Sequence, residues 1–371
     1  MKALCALFAV AIVSGCGGTR DRARSQAHPP AVSHGAGAMI SLRTLRGHRA
    51  ILSRGGLVRL VAARYGPVDL SNLHPRRPLT LLGVRGRPRL ASVDLTGATN
   101  VALRHVELPG GATIGDAAKN VTLDDVDLHG QALVIRAATH VALRHAYVHD
   151  VALRGSGLAD GFGVWAEGAS ARRPGGLTRD LLIQSTCFAN LAQDGVHVGD
   201  VQGVRLTGDE FVGIFASVDP SVHADAIQVH RSASDIQLLA NWFHDTNRGM
   251  IVKDDVYPGL VVSGNYFEHM RGWALDLYDT PGAQISGNIV RQQPGPSIVL
   301  HEQHSQMRDV TLTGNAVESL VFARAQVAQE SGNLVAAPKR GIEYSPSDIR
   351  GTPVPATPAP ASMHACQAWG R

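Results

Sequence analysis

"LVVSGNYFEHMRGWALDLYDTPGAQISGNIV", residues 260–290, contains one pattern twice. LVVSGNYF from 260 and ISGNIV from 285 alternate apolar and small polar residues, then break at Gly-Asn before further apolar residues. Period-two alternation marks a half-buried strand, and the Gly-Asn break ends it. Related segments start at 101 (VALRHVEL), 121 (VTLDDVDL), 141 (VALRHAYV), 181 (LLIQSTCF), 204 (VRLTGDEF), 236 (IQLLANWF) and 310 (VTLTGNAV). The starts lie 20–25 residues apart, except for one interval of 40 and one of 32. The longer intervals predict an added coil or insertion in the first case and an extra loop near 213–222 in the second.

A fixed short period of strands, with no helix-length amphipathic segment between them, is the signature of a solenoid. On these segments the chain resembles the right-handed parallel β-helix proteins of the pectate-lyase-like superfamily, over roughly residues 50–335. RLVAARYGPVDLSNLHPRRPLTLLGV, residues 59–84, is similar to the usual opening of that fold, where a Tyr-Gly strand leads into the first coils. The leucine spacing of leucine-rich repeats is absent. The resemblance implies an all-β, single-stranded right-handed parallel β-helix of about 10–12 coils. It also implies a ladder of buried amides at one bend, through Asp209, Asn241, Asn265, Asn288 and Asn315, each bonded to backbone and to its neighbours.

The two ends read differently. MKALCALFAVAIVSGC has one Lys, a short apolar run and small residues before Cys16, too short to span a membrane. Val13-Ser14-Gly15-Cys16 resembles a bacterial lipoprotein box, which implies lipidation of Cys16; Gly17 after it implies an outer-membrane address, periplasmic or surface-facing. The expected organisation is a signal peptide at 1–15, a flexible tether at 16–40, the β-helix at 41–340 and a Pro-rich C-terminal tail at 341–371. Of the four cysteines, Cys187 and Cys366 belong to the exported body. An oxidising compartment would let them pair; otherwise Cys187 reads as a small buried hydrophobe.

The net charge of +4 conceals an asymmetry. Residues 17–90 hold 14 Arg against Asp21 and Asp69, so the rest of the chain is net acidic. The basic part suits anionic lipid or acidic glycan; export excludes nucleic acid as a partner.

Beyond each Asn bend a second strand follows, and these strands carry the chemistry: DGFGVW (160–165), DGVHVG (194–199), DAIQVH (225–230), MIVKD (250–254), ALDLY (274–278) and SIVLH (297–301). Aligned on their Asp-Gly/Ala starts, they predict Asp160, Asp194 and Asp225 stacked on adjacent coils, with Phe162, Val196 and Ile227 inward. The outward columns would then hold His197, Gln228, Val252 and Asp276, and next to them Trp165, His230, Asp254, Tyr278 and His301, flanked by Lys253. Coils lie about 4.8 Å apart, so stacked carboxylates need a cation such as Ca²⁺, a retained proton, or backbone N–H groups. Simple bend-capping by each Asp is the bland alternative.

Three chemistries fit. Paired carboxyls among Asp194, Asp225, Asp254 and Asp276 suit glycoside hydrolysis. His197, His230, Lys253 and Tyr278 as bases, with Ca²⁺ on Asp160, Asp194 and Asp225, suit β-elimination of a uronate. Trp165, Gln228, Arg248, Arg271, Tyr278 and His301 form the expected sugar-contacting set, and such a face also suits binding without catalysis. A zinc site at His223, Asp225 and His230 is a lesser reading. The catalytic sequence motifs of polygalacturonases, alginate-lyase-like β-helices and mannuronan epimerases are absent. The expectation is a lipid-anchored enzyme acting on an acidic polysaccharide, a lyase or hydrolase; the alternative is a glycan-binding, adhesin-like or envelope-structural protein.

Overall fold

Successive strands of one coil cannot pair with each other across a bend, so each pairs in parallel with its counterpart one coil on, and three sheets result. The computed structural model describes residues 38–40, 48–153, 160–168, 176–215, 224–292, 295–304, 307–336, 349–350 and 359–370. Over these residues the chain is a right-handed parallel β-helix. The first sheet stacks Gly56–Val61, Leu79–Val84 and their successors through Val261–Ser263, Gln284–Ser286 and Val310–Thr313. The second contains Cys187–Leu191, Glu210–Val212, Trp242–His244 and Tyr266–Glu268. The third contains Leu133–Arg136, Val164–Glu167, the start of Val196–Thr207, the start of Asp225–Leu239, Arg248–Val252, Leu275–Tyr278 and Ile298–His301.

Inward side chains fill one continuous core, including a column of stacked rings, Phe188, Phe211, Phe243 and Phe267, with centroids 4.6–4.8 Å apart. First-sheet strands are bracketed by left-handed bends five residues apart: Asp235 and Ala240, then Gly259 and Gly264, then Gly282 and Gly287, with φ of 54–76°. Asn, Asp and Gly adopt that conformation at low cost, which explains much of the glycine content. His105, His140 and His145 also sit in such bends, each beside an Asp carboxylate, and serve the turns.

The amide ladder forms as the repeat predicts and extends one rung further. The Asn265 side-chain oxygen accepts the Asn241 backbone and side-chain N–H at 3.0 Å, and its own amide donates to the Leu238 carbonyl and to Asn288. Asn288, Asn315 and Asn333 continue this arrangement. Asn333 lies in a further Ser-Gly-Asn at 331–333 that the reading of the repeat passes over.

The ends depart from expectation. Ala38–Ile40 already pairs with Gly56–Val61, and the short helix Arg49–Arg54 follows it. At the other end the tail is not merely extended. Ala361–Met363 and Ala365–Trp369 are 3-10 turns, and Cys366 is disulfide-bonded to Cys187 across 179 residues of sequence. Cys187 is thus a crosslink and not only a buried hydrophobe. The Glu210 carboxylate accepts the Cys366 N–H at 2.7 Å, while Trp369 stacks on Tyr147 and His364 on Trp242. No described helix is long and apolar enough to cross a membrane. The signal segment, Cys16, most of the tether and His223 lie outside the described residues.

Candidate functional site

The third sheet gathers the polar residues, in a register that differs from the one the Asp-Gly look-alikes predict. Val164 pairs with Val196, and Val196 with Ile227. DGFGVW is therefore displaced by two residues: Asp160 stands off the sheet, and Phe162 holds the position taken by Asp194 one coil on. Phe162 packs outside the main core with Ala132 and Trp165. Trp165 moves to the column of His197, and Glu167, which sequence reasoning missed, takes the next outward place beside Gly199 and His230. A one-residue slip also corrects MIVKD. Met250 pairs with Ile227, so Val252 is buried inward and Lys253 stands outward beyond it. Asp254, at φ 76°, has already left the strand, which ends at Val252, and stands in neither outward column.

The resulting outward columns read Trp165, His197, Gln228, Ile251, Asp276, Val299, and next to them Glu167, Gly199, His230, Lys253, Tyr278, His301. Preceding them, Asp194, Asp225 and Arg248 occupy successive rungs.

Two acid–imidazole groups form along this face. In the first, both Asp194 oxygens are engaged: one accepts the Asp225 backbone N–H at 2.9 Å, the other faces His197 Nδ1 at 2.8 Å. His197 Nε2 and His230 Nε2 lie 2.7 Å apart, and Glu167 Oε1 is 3.5 Å from His230 Nε2 and 3.4 Å from the Arg231 guanidinium. Burial pushes Asp194 up to about 7, against the opposing pull of the Asp225 N–H and Lys253. Burial and then the neighbouring His230 push His197 down to about 3. Burial raises Glu167, but the His230 hydrogen bond and Arg231 outweigh it and hold the carboxyl below its usual range.

In the second, Asp276 is 1% exposed and its Oδ1 lies 3.0 Å from His301 Nε2. The contact is close, but its angle is not that of a hydrogen bond: both Asp276 oxygens and His301 Nε2 are buried without a hydrogen-bond partner among the described residues. His301 stacks on Tyr278 at 4.2 Å and lies tilted by 42° to Trp273, with centroids 6.2 Å apart. Arg248 leans over Trp273 at 5.7 Å and stands 3.5 Å from Asp225. Burial, followed by the Asp276 charge, pushes the Tyr278 phenol up. Trp273 was also missed; its signal is its place one residue before ALDLY.

Other sequence candidates disperse. Arg271 covers Phe215 at 3.8 Å, and Trp165 is capped by Arg136 at 4.6 Å. The predicted Ca²⁺ site of Asp160, Asp194 and Asp225 is not assembled, since Asp160 is off the rung and Asp194 is already satisfied. Asp225 is neutralised by Arg248. The zinc reading at His223, Asp225 and His230 gives way to a different trio: the donor atoms of Glu167, His197 and His230 lie within 4.8 Å of one another.

No known protein family's sequence pattern matches this chain, and no curated protein matches it either. Solved structures do. The DFA-IIIase of Arthrobacter chlorophenolicus A6, in a structure without its lid and in complex with GF2, superposes with a TM-score of 0.56 at 10% identity, covering 85% of this chain and 94% of that one. The surface protein and adhesin PfbA of Streptococcus pneumoniae gives 0.51 at 10%, covering 76% and 90%. The A-module of mannuronan C-5 epimerase AlgE4 from Azotobacter vinelandii gives 0.48 at 13%, covering 77% and 86%. The first two likenesses show the fold, a right-handed parallel β-helix, and the fold alone.

Proposed function

We propose that the protein acts on an acidic polysaccharide lying along the third sheet, as a lyase. One observation carries the reading: from Asp194 to His301 the carboxylates of this face are buried, while the groups that reach its surface are cations, imidazole and phenol; the partly open Glu167 lies apart from them, with His197 and His230. Asp194, Asp225 and Asp276 are 0–2% exposed, whereas Arg248, Lys253, Tyr278 and His301 are partly open. A hydrolase needs two carboxyls flanking the scissile bond. Buried behind their partners, these carboxylates serve instead to position bases and cations.

β-Elimination uses the groups that remain. Lys253 neutralises the uronate carboxylate and Arg248, charge-paired with Asp225, adds a hydrogen bond to it, which makes the neighbouring C5 proton acidic. The imidazole of His301, beside Asp276, takes that proton; the C4–O bond breaks, its electron pair goes to the leaving oxygen, and a C4=C5 double bond forms. Tyr278, whose raised pKa keeps the phenol protonated, supplies a proton to the leaving oxygen. Trp273, between Arg248 and His301, offers a ring face to sugar.

The Cys187–Cys366 disulfide supports an oxidising compartment, in keeping with export and an anchor at Cys16.

The test is incubation of the full-length protein with a panel of uronate polymers. Ultraviolet absorbance from unsaturated chain ends is expected, lost in His301→Asn and Tyr278→Phe. New reducing ends without that absorbance would make it a hydrolase. Retained binding without either product would make it a glycan-binding protein.

A further inference from the structure

The cluster at the start of the acidic face has a feature that the lyase chemistry does not use: two imidazole nitrogens pointed at one another. His197 and His230 stand on adjacent coils, but their side chains do not stack in parallel; the rings are tilted by 54°, with centroids 4.3 Å apart, and meet Nε2 to Nε2 at 2.7 Å. Glu167, one coil before His197, brings Oε1 to 3.5 Å from His230 Nε2. Three donors from three successive coils thus face one point.

We infer that Glu167, His197 and His230 form a binding site for a divalent transition-metal ion of the Zn²⁺ class. Two imidazoles and one carboxylate are the donor set that such ions prefer, and Ca²⁺, which prefers oxygen, does not. Donors on a tetrahedral Zn²⁺ at about 2.0–2.1 Å are about 3.3 Å apart, so Glu167 and His230 are already at the required separation and the two rings need to part by roughly 0.6 Å.

The surroundings are those of a metal ligand. His197 places its other nitrogen, Nδ1, 2.8 Å from the buried Asp194 carboxylate, which fixes the tautomer that leaves Nε2 free to coordinate. Gly199, beside His230, provides the space: a Cβ there would lie 2.6 Å from His230 Nε2, where the donors converge. Three protein ligands leave a further coordination position open. The Arg231 guanidinium, 3.4 Å from Glu167 Oε1, competes for that oxygen; its side chain is 56% exposed and has room to move away.

The site stands on its own atoms and does not depend on the lyase reading. Its test is metal binding, not turnover. Full-length, tag-free protein stripped with chelator is titrated calorimetrically with Zn²⁺, Co²⁺ and Ca²⁺. One equivalent of Zn²⁺ is expected, with a higher unfolding midpoint, no Ca²⁺ heat, and the visible absorption of four- or five-coordinate Co²⁺.

Glu167→Gln, which keeps the shape of the side chain, should weaken Zn²⁺ at least tenfold, and Gly199→Ala should abolish the Co²⁺ spectrum. Asp194→Asn should weaken binding about 10- to 100-fold without altering stoichiometry. Circular dichroism of each variant verifies folding, and Glu167→Gln decides the matter if Gly199→Ala fails to fold. Absence of a stoichiometric site in the wild type, or binding that neither Glu167→Gln nor Gly199→Ala changes, overturns the inference. The first outcome would leave His197 and His230 sharing a proton; the second would place the ion on other histidines.

Discussion

The amide ladder and the acidic face are both columns of one side chain per coil at a fixed place, yet they reach opposite states. Along Asn241, Asn265, Asn288 and Asn315 each side-chain oxygen accepts and each amide donates, up and down the stack. On the third sheet the rungs change from coil to coil, with only Asp194 and Asp225 repeating: Phe162, Asp194, Asp225 and Arg248 in one column, Trp165, His197, Gln228, Ile251 and Asp276 in the next. Asp276 is as buried as any ladder amide, but neither oxygen has a hydrogen-bond partner among the described residues. Repetition with satisfaction serves the fold. Variety with incomplete satisfaction costs stability, and it is retained where chemistry needs it.

The contrast breaks most visibly at Asn265. Asn265→Ala leaves the Asn241 backbone N–H, the Asn241 amide and the Leu238 carbonyl without their partner. At about 1–3 kcal/mol for each buried group left unmade, a loss of roughly 3–5 kcal/mol is expected, read as a lower urea midpoint. Specific activity of the folded fraction should not change. The acidic face should respond in reverse. Asp276→Asn removes a buried charge, so the midpoint should hold or rise, while turnover falls about 10²-fold or more because His301 loses its orienting group. A fall in midpoint with activity intact would return Asp276 to a structural role.

How far each region can be read from sequence follows from the same difference. The ladder is legible because identical rungs need identical residues: Ser-Gly-Asn recurs, and the left-handed bends recur with it as Gly, Asn or Asp. Register is fixed by backbone pairing and core fit, not by look-alike tripeptides. DGFG and DGVH are similar strings, but the first is a turn before its strand and the second leads directly into one. That two-residue displacement hid Glu167 and misplaced Asp160 and Trp165. In MIVKD a slip of one residue exchanged the faces of Val252 and Lys253. His197, His230, Tyr278 and His301 were found because they stand on an outward column whichever neighbour they are given. The disulfide was not decidable, since it joins residues 179 apart through a C-terminal segment with no repeat to place it.

Asp209 sharpens the comparison, because it is an acid within the amide ladder. It occupies the rung before Asn241: its N–H donates to the Asn241 oxygen at 2.9 Å, and its Oδ1 accepts the Thr186 N–H at 2.8 Å. Oδ2, where each Asn would carry its amide, is buried without a hydrogen-bond partner among the described residues. Burial pushes the carboxyl well above its ordinary range. A group whose folded pKa is raised contributes stability that is complete below the unfolded value, about 4, and is lost as pH rises toward the folded one. Asp209→Asn removes that dependence. Its new amide would point, as in the other rungs, at the carbonyl three residues before the preceding rung, here Ile183. The variant should match the wild type at pH 4 and exceed it by at least about 1.4 kcal/mol at neutral pH, the worth of one pK unit, read from urea midpoints at the two values. If the gain is the same at both pH values, Asp209 is not holding a proton, and a ladder rung can carry a charge after all.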